Sequence, residues 1–312
     1  MINRLSKLSI GLAVLACSTS ASANLISLFE TQRDTDYAYA GVGGLRGTGF
    51  GDIMLSGVTG TVSQAYLYWH GPTTSTDPAF NASIMFDGNA ISGTNIGFSD
   101  DNFWGQDNSQ AYRADVTALV SGDGTYALTG LSAANSNGAS LVVFYDDGDA
   151  TNNRDIVTFD GNDGNFSNIY DPDGWDVTLS GIDYTSGSGS LVMGVSDGQS
   201  FADGDFFING VNIGAVFDGT TVPTTPGTTV GNGGLWDLVE IDITTFLSPG
   251  SNDINLTHSA FNDALSAIHF HVNLPAGAAP PDPDEDPDPN NIPEPGILLL
   301  LASGLLLLRR SK

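Results

Sequence analysis

Asp115-Val116-Thr117-Ala118-Leu119-Val120-Ser121-Gly122, followed by Tyr126-Ala127-Leu128-Thr129, returns in altered form as Asp242-Ile243-Thr244-Thr245-Phe246-Leu247-Ser248-Pro249-Gly250, followed by Ile254-Asn255-Leu256-Thr257. The two copies lie 127 residues apart. Upstream of the first is Ile84-Met85-Phe86-Asp87-Gly88, and upstream of the second Phe206-Phe207-Ile208-Asn209-Gly210. Ordered elements repeated at similar spacing argue for two copies of one unit. The alternative is chance likeness between Gly- and Asn-rich β sequences. The repeated element has a mechanical reading. The aspartate oxygen caps a short helical turn. The aliphatic residue after it points into a core, Leu119 or Phe246 seals the turn, and glycine releases the chain into a strand.

Outward from this element, residues 24–275 show no sustained helical periodicity. Short alternating or apolar runs are separated by Gly, Asn, Asp, Ser and Pro, the pattern of an antiparallel β protein. Strands are predicted at 63–69, 82–86, 124–129, 139–145 and 155–159, then at 176–179, 190–196, 205–208, 237–243, 252–258 and 267–273. Asp87-Gly88, Asp160-Gly161 and Asn209-Gly210 are predicted as tight hairpin turns. The expectation is an all-β body of two units, 24–165 and 166–275. The aspartate–aliphatic–threonine element is flanked by strands such as Ala65-Tyr66-Leu67-Tyr68-Trp69 and Gly138-Ala139-Ser140-Leu141-Val142-Val143-Phe144-Tyr145. In this setting it resembles jelly-roll modules of the galactose-binding type and the β-sandwich domains of prokaryotic surface proteins. The likeness covers about residues 60–160 and, more weakly, 176–274. It implies two jelly-roll-like antiparallel β-sandwich units and says nothing of activity.

Both ends read as addresses. Arg4 and Lys7, the apolar run 8–16 and the small-x-small site Ala21-Ser22-Ala23 predict a secretory signal peptide over residues 1–23. An alternative uses Cys17 as a lipid-attachment site, with bulky Leu15 where a small residue is usual. Cleavage after Ala23 removes the single cysteine and with it any disulfide or thiolate chemistry. At the other end Pro293-Glu294-Pro295 precedes the apolar run 296–308 and the basic cluster Arg309-Arg310-Ser311-Lys312. This resembles the PEP-CTERM sorting signal of Gram-negative bacteria, over residues 293–312. The resemblance implies a short hydrophobic helix at the C-terminus, transient inner-membrane anchoring, recognition by an exosortase, and delivery to the cell surface or extracellular matrix. Thirteen residues at ~1.5 Å each reach about 20 Å, short of a ~30 Å hydrocarbon core, which suits a temporary signal better than a permanent anchor. The anchor that no enzyme cuts remains the alternative. The Pro/Asp-rich stretch 276–292 reads as a stiff, self-repelling linker.

Of 312 residues, 36 are acidic and 9 basic. Between residues 24 and 292 the count is 4 positive against 35 negative, a balance of −31. Such a polyanion has almost nothing with which to neutralise phosphates, so nucleic acid is excluded as a partner. Hydrophobic residues at 40% against 14% charged allow a packed core. Aspartate is the usual loop ligand of calcium, and two runs present it with glycine and asparagine: Asp146, Asp147 and Asp149, and Asp160, Asn162 and Asp163. A structural calcium ion is the one cofactor they suit; the alternative is plain turn-filling. A third run, Asp171-Pro172-Asp173-Gly174-Trp175-Asp176, has the same character. His269 and His271 alternate on a predicted strand and share one face. Trp104, Trp175 and Trp236 sit in glycine-rich surroundings, where loop aromatics could stack on sugar rings. Glu30 and Glu240 are the only glutamates in the folded body, which argues against paired-carboxylate glycoside hydrolysis. Together these readings give an exported, exosortase-processed surface or matrix protein, structural or adhesive and non-catalytic, in the extracellular polysaccharide layer. Signal peptidase, exosortase and polysaccharide are its expected partners. A carbohydrate-binding module is the alternative, and a secreted hydrolase the third reading.

Overall fold

The computed structural model describes residues 25–100, 105–200, 203–259 and 264–279. The signal-cleavage residues Ala21 and Ala23 lie outside the described residues, as do the sorting-signal residues Pro293, Glu294, Pro295, Arg309 and Arg310 and the sugar-stacking candidate Trp104. The first half holds β1 (Ile26–Val42), β2 (Gly51–Leu55), β3 (Thr61–Thr73), β4 (Ser83–Phe86), β5 (Asn89–Ser92), β6 (Thr94–Ser99), β7 (Asn108–Asp115), β8 (Gly124–Thr129) and β9 (Gly138–Asp146). The second holds β10 (Arg154–Gly164), β11 (Asp176–Tyr184), β12 (Ser190–Ser196), β13 (Phe206–Ile208), β14 (Val211–Gly214), β15 (Trp236–Asp242), β16 (Gly250–His258) and β17 (Ser266–Pro275). Pairing between strands is antiparallel throughout, so the body is all-β as the residue pattern requires. Every strand expected from the sequence falls on one of these, though several observed strands run further, β3 to Thr73, β10 to Gly164 and β11 to Tyr184. Among the described residues no helix is long and apolar enough to cross a membrane.

The strand order repeats. One sheet runs β15-β12-β17-β10-β1-β9-β3-β7-β6, so that β10-β17-β12-β15 on one side of the long strand matches β1-β9-β3-β7. The smaller sheets, β2-β8-β4-β5 and β11-β16-β13-β14, match each other likewise. Asp115 and Asp242 end the corresponding strands β7 and β15. Each carboxylate accepts a backbone N–H two residues on, from Thr117 and Thr244, both at 2.9 Å. A single 3-10 turn follows in each case, Thr117–Leu119 and Thr244–Phe246. Val116 and Ile243, just before the turns, are buried in their cores. The two tight turns at Asp87-Gly88 and Asn209-Gly210 have positive φ at both residues, as a type I′ hairpin demands. The expected turn at Asp160-Gly161 is not one. Both residues lie inside β10, where Gly161 pairs with Ile26 and the ladder bulges between Asp160 and Asp163. A two-residue Asp-Gly signal cannot distinguish a turn from a bulged strand that needs a small residue.

Side-chain alternation sorts the strands into four layers. Val177, Leu179, Phe206, Ile254 and Leu256 of the small second sheet pack on Val157, Leu191, Met193, Phe270 and Val272. Ile53, Ile84, Phe86, Tyr126 and Leu128 pack on Leu67, Trp69, Tyr112, Leu141 and Val143. The opposite faces of the two inner layers meet each other through Tyr66, Tyr68, Val142, Phe144, Ile156, Trp236, Leu238 and Ile268. β1 belongs to both inner layers. Its first part pairs with β10, from Ile26 opposite Gly161 to Thr35 opposite Arg154, and its second with β9, from Asp36 opposite Tyr145 to Val42 opposite Ala139. The change of partner falls at Asp34, whose φ of 49° lets the strand turn. Buried Asp155 pins this corner: its two oxygens accept the N–H groups of Asp34 (3.1 Å) and Ala279 (2.9 Å).

Candidate functional site

The seam between the inner layers carries hydroxyls and imidazoles among its hydrocarbon. His269 and His271 share a face of β17 as expected, and their rings are bonded, Nδ1 of His269 to Nε2 of His271 at 3.0 Å. The chain of contacts runs on at both ends. Trp236 Nε1–H donates to Ser140 Oγ (2.9 Å), Ser140 meets His269 Nε2 (3.0 Å), and His271 Nδ1 meets Thr158 Oγ1 (3.0 Å). The indole can only donate, and the direction of the three bonds beyond Ser140 follows the tautomers of the two imidazoles. Tyr68 lies over His269 with ring centroids 4.5 Å apart. Burial pushes His271 down to about 3 and His269 well below its ordinary value, so both stay neutral. His258 lies in another layer, stacked on Trp175 with ring centroids 5.3 Å apart. Gly194 makes the seam possible, since a Cβ there would sit 2.0 Å from His269 Nε2. Gly194→Ala is therefore expected to cost about 1–3 kcal/mol, read as a lower denaturant midpoint with an unchanged slope.

At one end of β12, Ser196 Oγ lies 2.6 Å from His70 Nδ1. Against the reading of the sequence as carrying no G-x-S-x-G motif, Gly194-Val195-Ser196-Asp197-Gly198 has that spacing. That motif works as a strand-to-helix elbow that exposes the serine. Here no helix follows β12 among the described residues. Ser196 is 0% and His70 2% exposed, and Ser196 Oγ also accepts from Asn137 Nδ2 (3.0 Å). Asn137 and Arg46 tie Asp197 to the same knot, at 3.1 and 3.4 Å. The arrangement is a sealed polar contact between layers.

Three groups of sequence candidates end elsewhere than expected. Trp175 and Trp236 are 2% and 0% exposed, so neither ring can stack on a sugar; both fill cores, because an indole surrounded by glycine in sequence can still be surrounded by strands in space. In the 146–149 loop the carboxylates serve their own backbone. Gly148 N–H donates to Asp146 (2.8 Å), Asp149 N–H to Asp147 (2.8 Å), and Thr151 N–H to Asp149 (3.0 Å). These are turn-capping contacts. Asp160, Asn162 and Asp163 lie in the strand β10 rather than in a loop. Asp160 pairs with Arg113, and Asn162 Nδ2 donates to Ser109 O (3.1 Å) across to β7. Asp163 is 0% exposed with no partner on either oxygen. Burial, reinforced by the charges of Asp171 and Asp176, pushes it up to about 8. Among the described residues no three His, Cys, Asp or Glu are grouped to hold a metal ion.

At the other end of β12 the seam opens into a cleft of about 440 Å³. Arg154, Ser188, Ser190, Glu240, Asp242 and Asn273 line it, from β10, β12, β15, β17 and the turn before β12. Their polar groups form one relay. Arg154 Nε–H donates to Asn273 Oδ1 (2.6 Å), Asn273 Nδ2 reaches Ser190 Oγ (3.3 Å), and Ser190 O–H donates to Glu240 Oε1 (2.7 Å). Glu240 Oε2 accepts from Tyr39 O–H (2.9 Å). Tyr37 packs beside Tyr39, ring centroids 5.7 Å apart, and accepts from Asn273 Nδ2 (3.4 Å). Burial and the Glu240 charge push Tyr37 up to about 12 and Tyr39 higher, so both remain phenols. The cleft thus offers fixed donors and acceptors, the chemistry that orients a polyhydroxylated ligand, while Tyr37 and Tyr39 hold Asn273 and Glu240 from beside it. Its residues were legible only in part. Glu240 drew attention as one of two glutamates, whereas Tyr37 and Tyr39 stand in the alternating run Asp36-Tyr37-Ala38-Tyr39-Ala40, a strand signal not used.

No protein-family model and no curated protein matches the chain. Among solved structures it is similar to BuGH86wt in complex with neoagarooctaose, at 12% identity over 80% of this chain and 34% of that one, with a TM-score of 0.25. It is similar also to BpGH86A, a β-porphyranase of glycoside hydrolase family 86 from Bacteroides plebeius, at 13% over 79% and 37%, TM-score 0.23. A third is the ANX2 ectodomain from Arabidopsis thaliana, at 10% over 83% and 94%, TM-score 0.24. The chain spans about a third of the length of the two GH86 structures. These distant neighbours include carbohydrate-active proteins, and at such TM-scores the likeness carries no argument about what this chain does.

Proposed function

We propose that this protein is an exported, non-catalytic adhesive module that holds polysaccharide outside the cell through the cleft at Ser190, Glu240 and Asn273. The observation that carries the reading is the relay from Arg154 to Glu240, which fixes four polar side chains around an open space before any ligand arrives. Such preorganisation lowers the ordering cost of binding. The terminal segments that resemble a signal peptide and a PEP-CTERM signal supply the address, and the acidic body suits a hydrated matrix. Delivery is then to the surface or matrix of a Gram-negative cell, after signal peptidase and exosortase have acted. The test is affinity electrophoresis of the secreted protein through a panel of polysaccharides. Retention on at least one is expected, with Asn273→Ala weakening it tenfold or more and the exposed-loop variant Asp149→Asn leaving it unchanged. Equal retention of Asn273→Ala, or no retention on any polymer, removes the cleft as the site.

One observation favours a hydrolase instead, the 2.6 Å contact of Ser196 with His70. A fluorophosphonate probe separates the two readings. The sealed pair is expected to stay unlabelled in the folded protein, and labelling of Ser196 overturns the non-catalytic role. Intact mass of the secreted product, lacking residues 1–23 and the tail after Pro-Glu-Pro, is the expected sign of processing. Recovery from the inner membrane with the tail attached counts against it.

A further inference from the structure

We infer that the cleft selects amine-bearing sugars, a partly or wholly de-N-acetylated hexosamine polymer, over neutral and uronate-bearing ones. The inference rests on the reading of the cleft as a polysaccharide site and names the class of sugar it takes.

The body has four arginines and no lysine. Arg33 Nη1–H donates to Ala279 O (3.2 Å), and Arg46 bonds Asn137 (2.6 Å) and Asp197 (3.4 Å). Arg113 pairs with Asp160 and lies over the Phe29 ring, 3.3 Å from its centroid. Arg154 enters the cleft from behind. Its Nε is held by Asn273 Oδ1, and its Nη2–H donates to Ser188 O (2.5 Å). Each cation is therefore engaged inside the body.

The rim of the cleft has the opposite character. Glu240 and Asp242 are two residues apart on β15, so both carboxylates stand on one face, about 7 Å apart along the strand. Both are exposed. Ser190 and Tyr39 each donate to one oxygen of Glu240, and Thr244 N–H donates to Asp242 Oδ1 (2.9 Å), which fixes both groups without saturating them. Every carboxylate oxygen keeps a second lone pair for an incoming donor. The charged groups of the lining, Arg154, Glu240 and Asp242, sum to one negative, within a body of strongly negative net charge. An ammonium on the sugar ring gains from both carboxylates. A uronate is repelled by them, and Arg154, the one cation of the cleft, already has its Nε and Nη2 bonded to Asn273 and Ser188. The binding is electrostatic enough to weaken with salt.

The test measures binding of three matched β-linked tetrasaccharides to the secreted protein at about pH 6 by calorimetry: glucosamine, N-acetylglucosamine, and a uronate-bearing chain. The amine form is expected to bind at least tenfold more tightly than the N-acetylated form, with the advantage shrinking between low and physiological salt. Asp242→Asn and Glu240→Gln are expected to cut that ratio severalfold. Asp149→Asn, which removes the same unit of charge away from the cleft, is expected to leave the ratio intact. Equal or tighter binding of the neutral or uronate form overturns the inference while leaving the cleft a sugar site. A ratio that falls equally in Asp149→Asn also overturns it, because the preference then belongs to the whole polyanion. Failure of all three ligands and of every polymer in the panel above removes the polysaccharide reading itself.

Discussion

Asp163→Asn is expected to be more stable than the natural protein above pH 8, by about 2–4 kcal/mol. The carboxyl is fully buried without a hydrogen-bond partner, and burial holds its proton until about pH 8. In the unfolded chain the same proton leaves near 3.8. Between these limits the native state holds more protons than the unfolded one, so stability falls as pH rises from about 4 to 8 and is flat above. Four pH units at ~1.4 kcal/mol each set a ceiling between about 5 and 6 kcal/mol. A buried amide returns ~1–3 kcal/mol of this through its own desolvation. Chemical denaturation of both proteins at pH 6 and 8.5 checks the claim. The gap is expected to widen with pH, and a gap that does not change with pH means that Asp163 ionises with a partner.

The acid side is expected to be steeper. Burial lowers His70 and His271 to about 3 and His258 to about 4, and lowers His269 further. All four are neutral in the native state, while the unfolded chain protonates them near 6.5. Below that pH the unfolded state takes up more protons, so stability is lost progressively from about pH 6.5 down to about 3. Asp163 and Asp237 act the other way, the latter raised to about 6 by burial against the bonds it accepts from Gly219 and Thr221. Four groups against two leave a net loss on the order of 5 kcal/mol between pH 6.5 and 4, comparable with the whole stability of an ordinary domain. Maximum stability therefore falls between about pH 6 and 7. Denaturant midpoints across pH 4–9 measure it. Doubly substituted His269→Gln/His271→Gln is expected to flatten the acid limb even though it lowers the maximum. A limb of unchanged steepness would place the titrating groups elsewhere.

What the sequence makes legible is local and alternating. The capped turns at Asp115 and Asp242 are visible because a few adjacent residues do the whole job. Strands such as β9 and β12 are visible because both of their faces are buried and so read as apolar runs. β1 is not, since Glu30, Thr31, Gln32, Arg33, Asp34 and Thr35 interrupt it with polar residues that serve the seam and the bend. The acidic runs mislead for a related reason. Composition cannot tell the self-capping loop at Asp146–Asp149 from a strand whose carboxylates meet Arg113 or nothing at all. The indoles of Trp175 and Trp236 mislead because their loop-like neighbours in sequence sit under strands brought in from far away. The cleft is hardest of all, since Tyr39 and Glu240 are 201 residues apart and meet only when both halves are assembled.

The crossing of β1 reverses the order of making and finishing. Residues 26–35 leave the ribosome ahead of the rest of the body, yet their ladder partners are residues 154–161, and β10 in turn leans on β17 at the far end of the body. The earliest segment is therefore completed last, across a loop closure of more than a hundred residues, and topology of this kind folds slowly. Cutting the chain between residues 165 and 166 would leave neither fragment whole, because the second would lack β10, one of the two strands that flank β17, and the first would carry β10 with an unmatched edge. The strand order written twice makes a single indivisible product, which matures only when its final strand has been delivered.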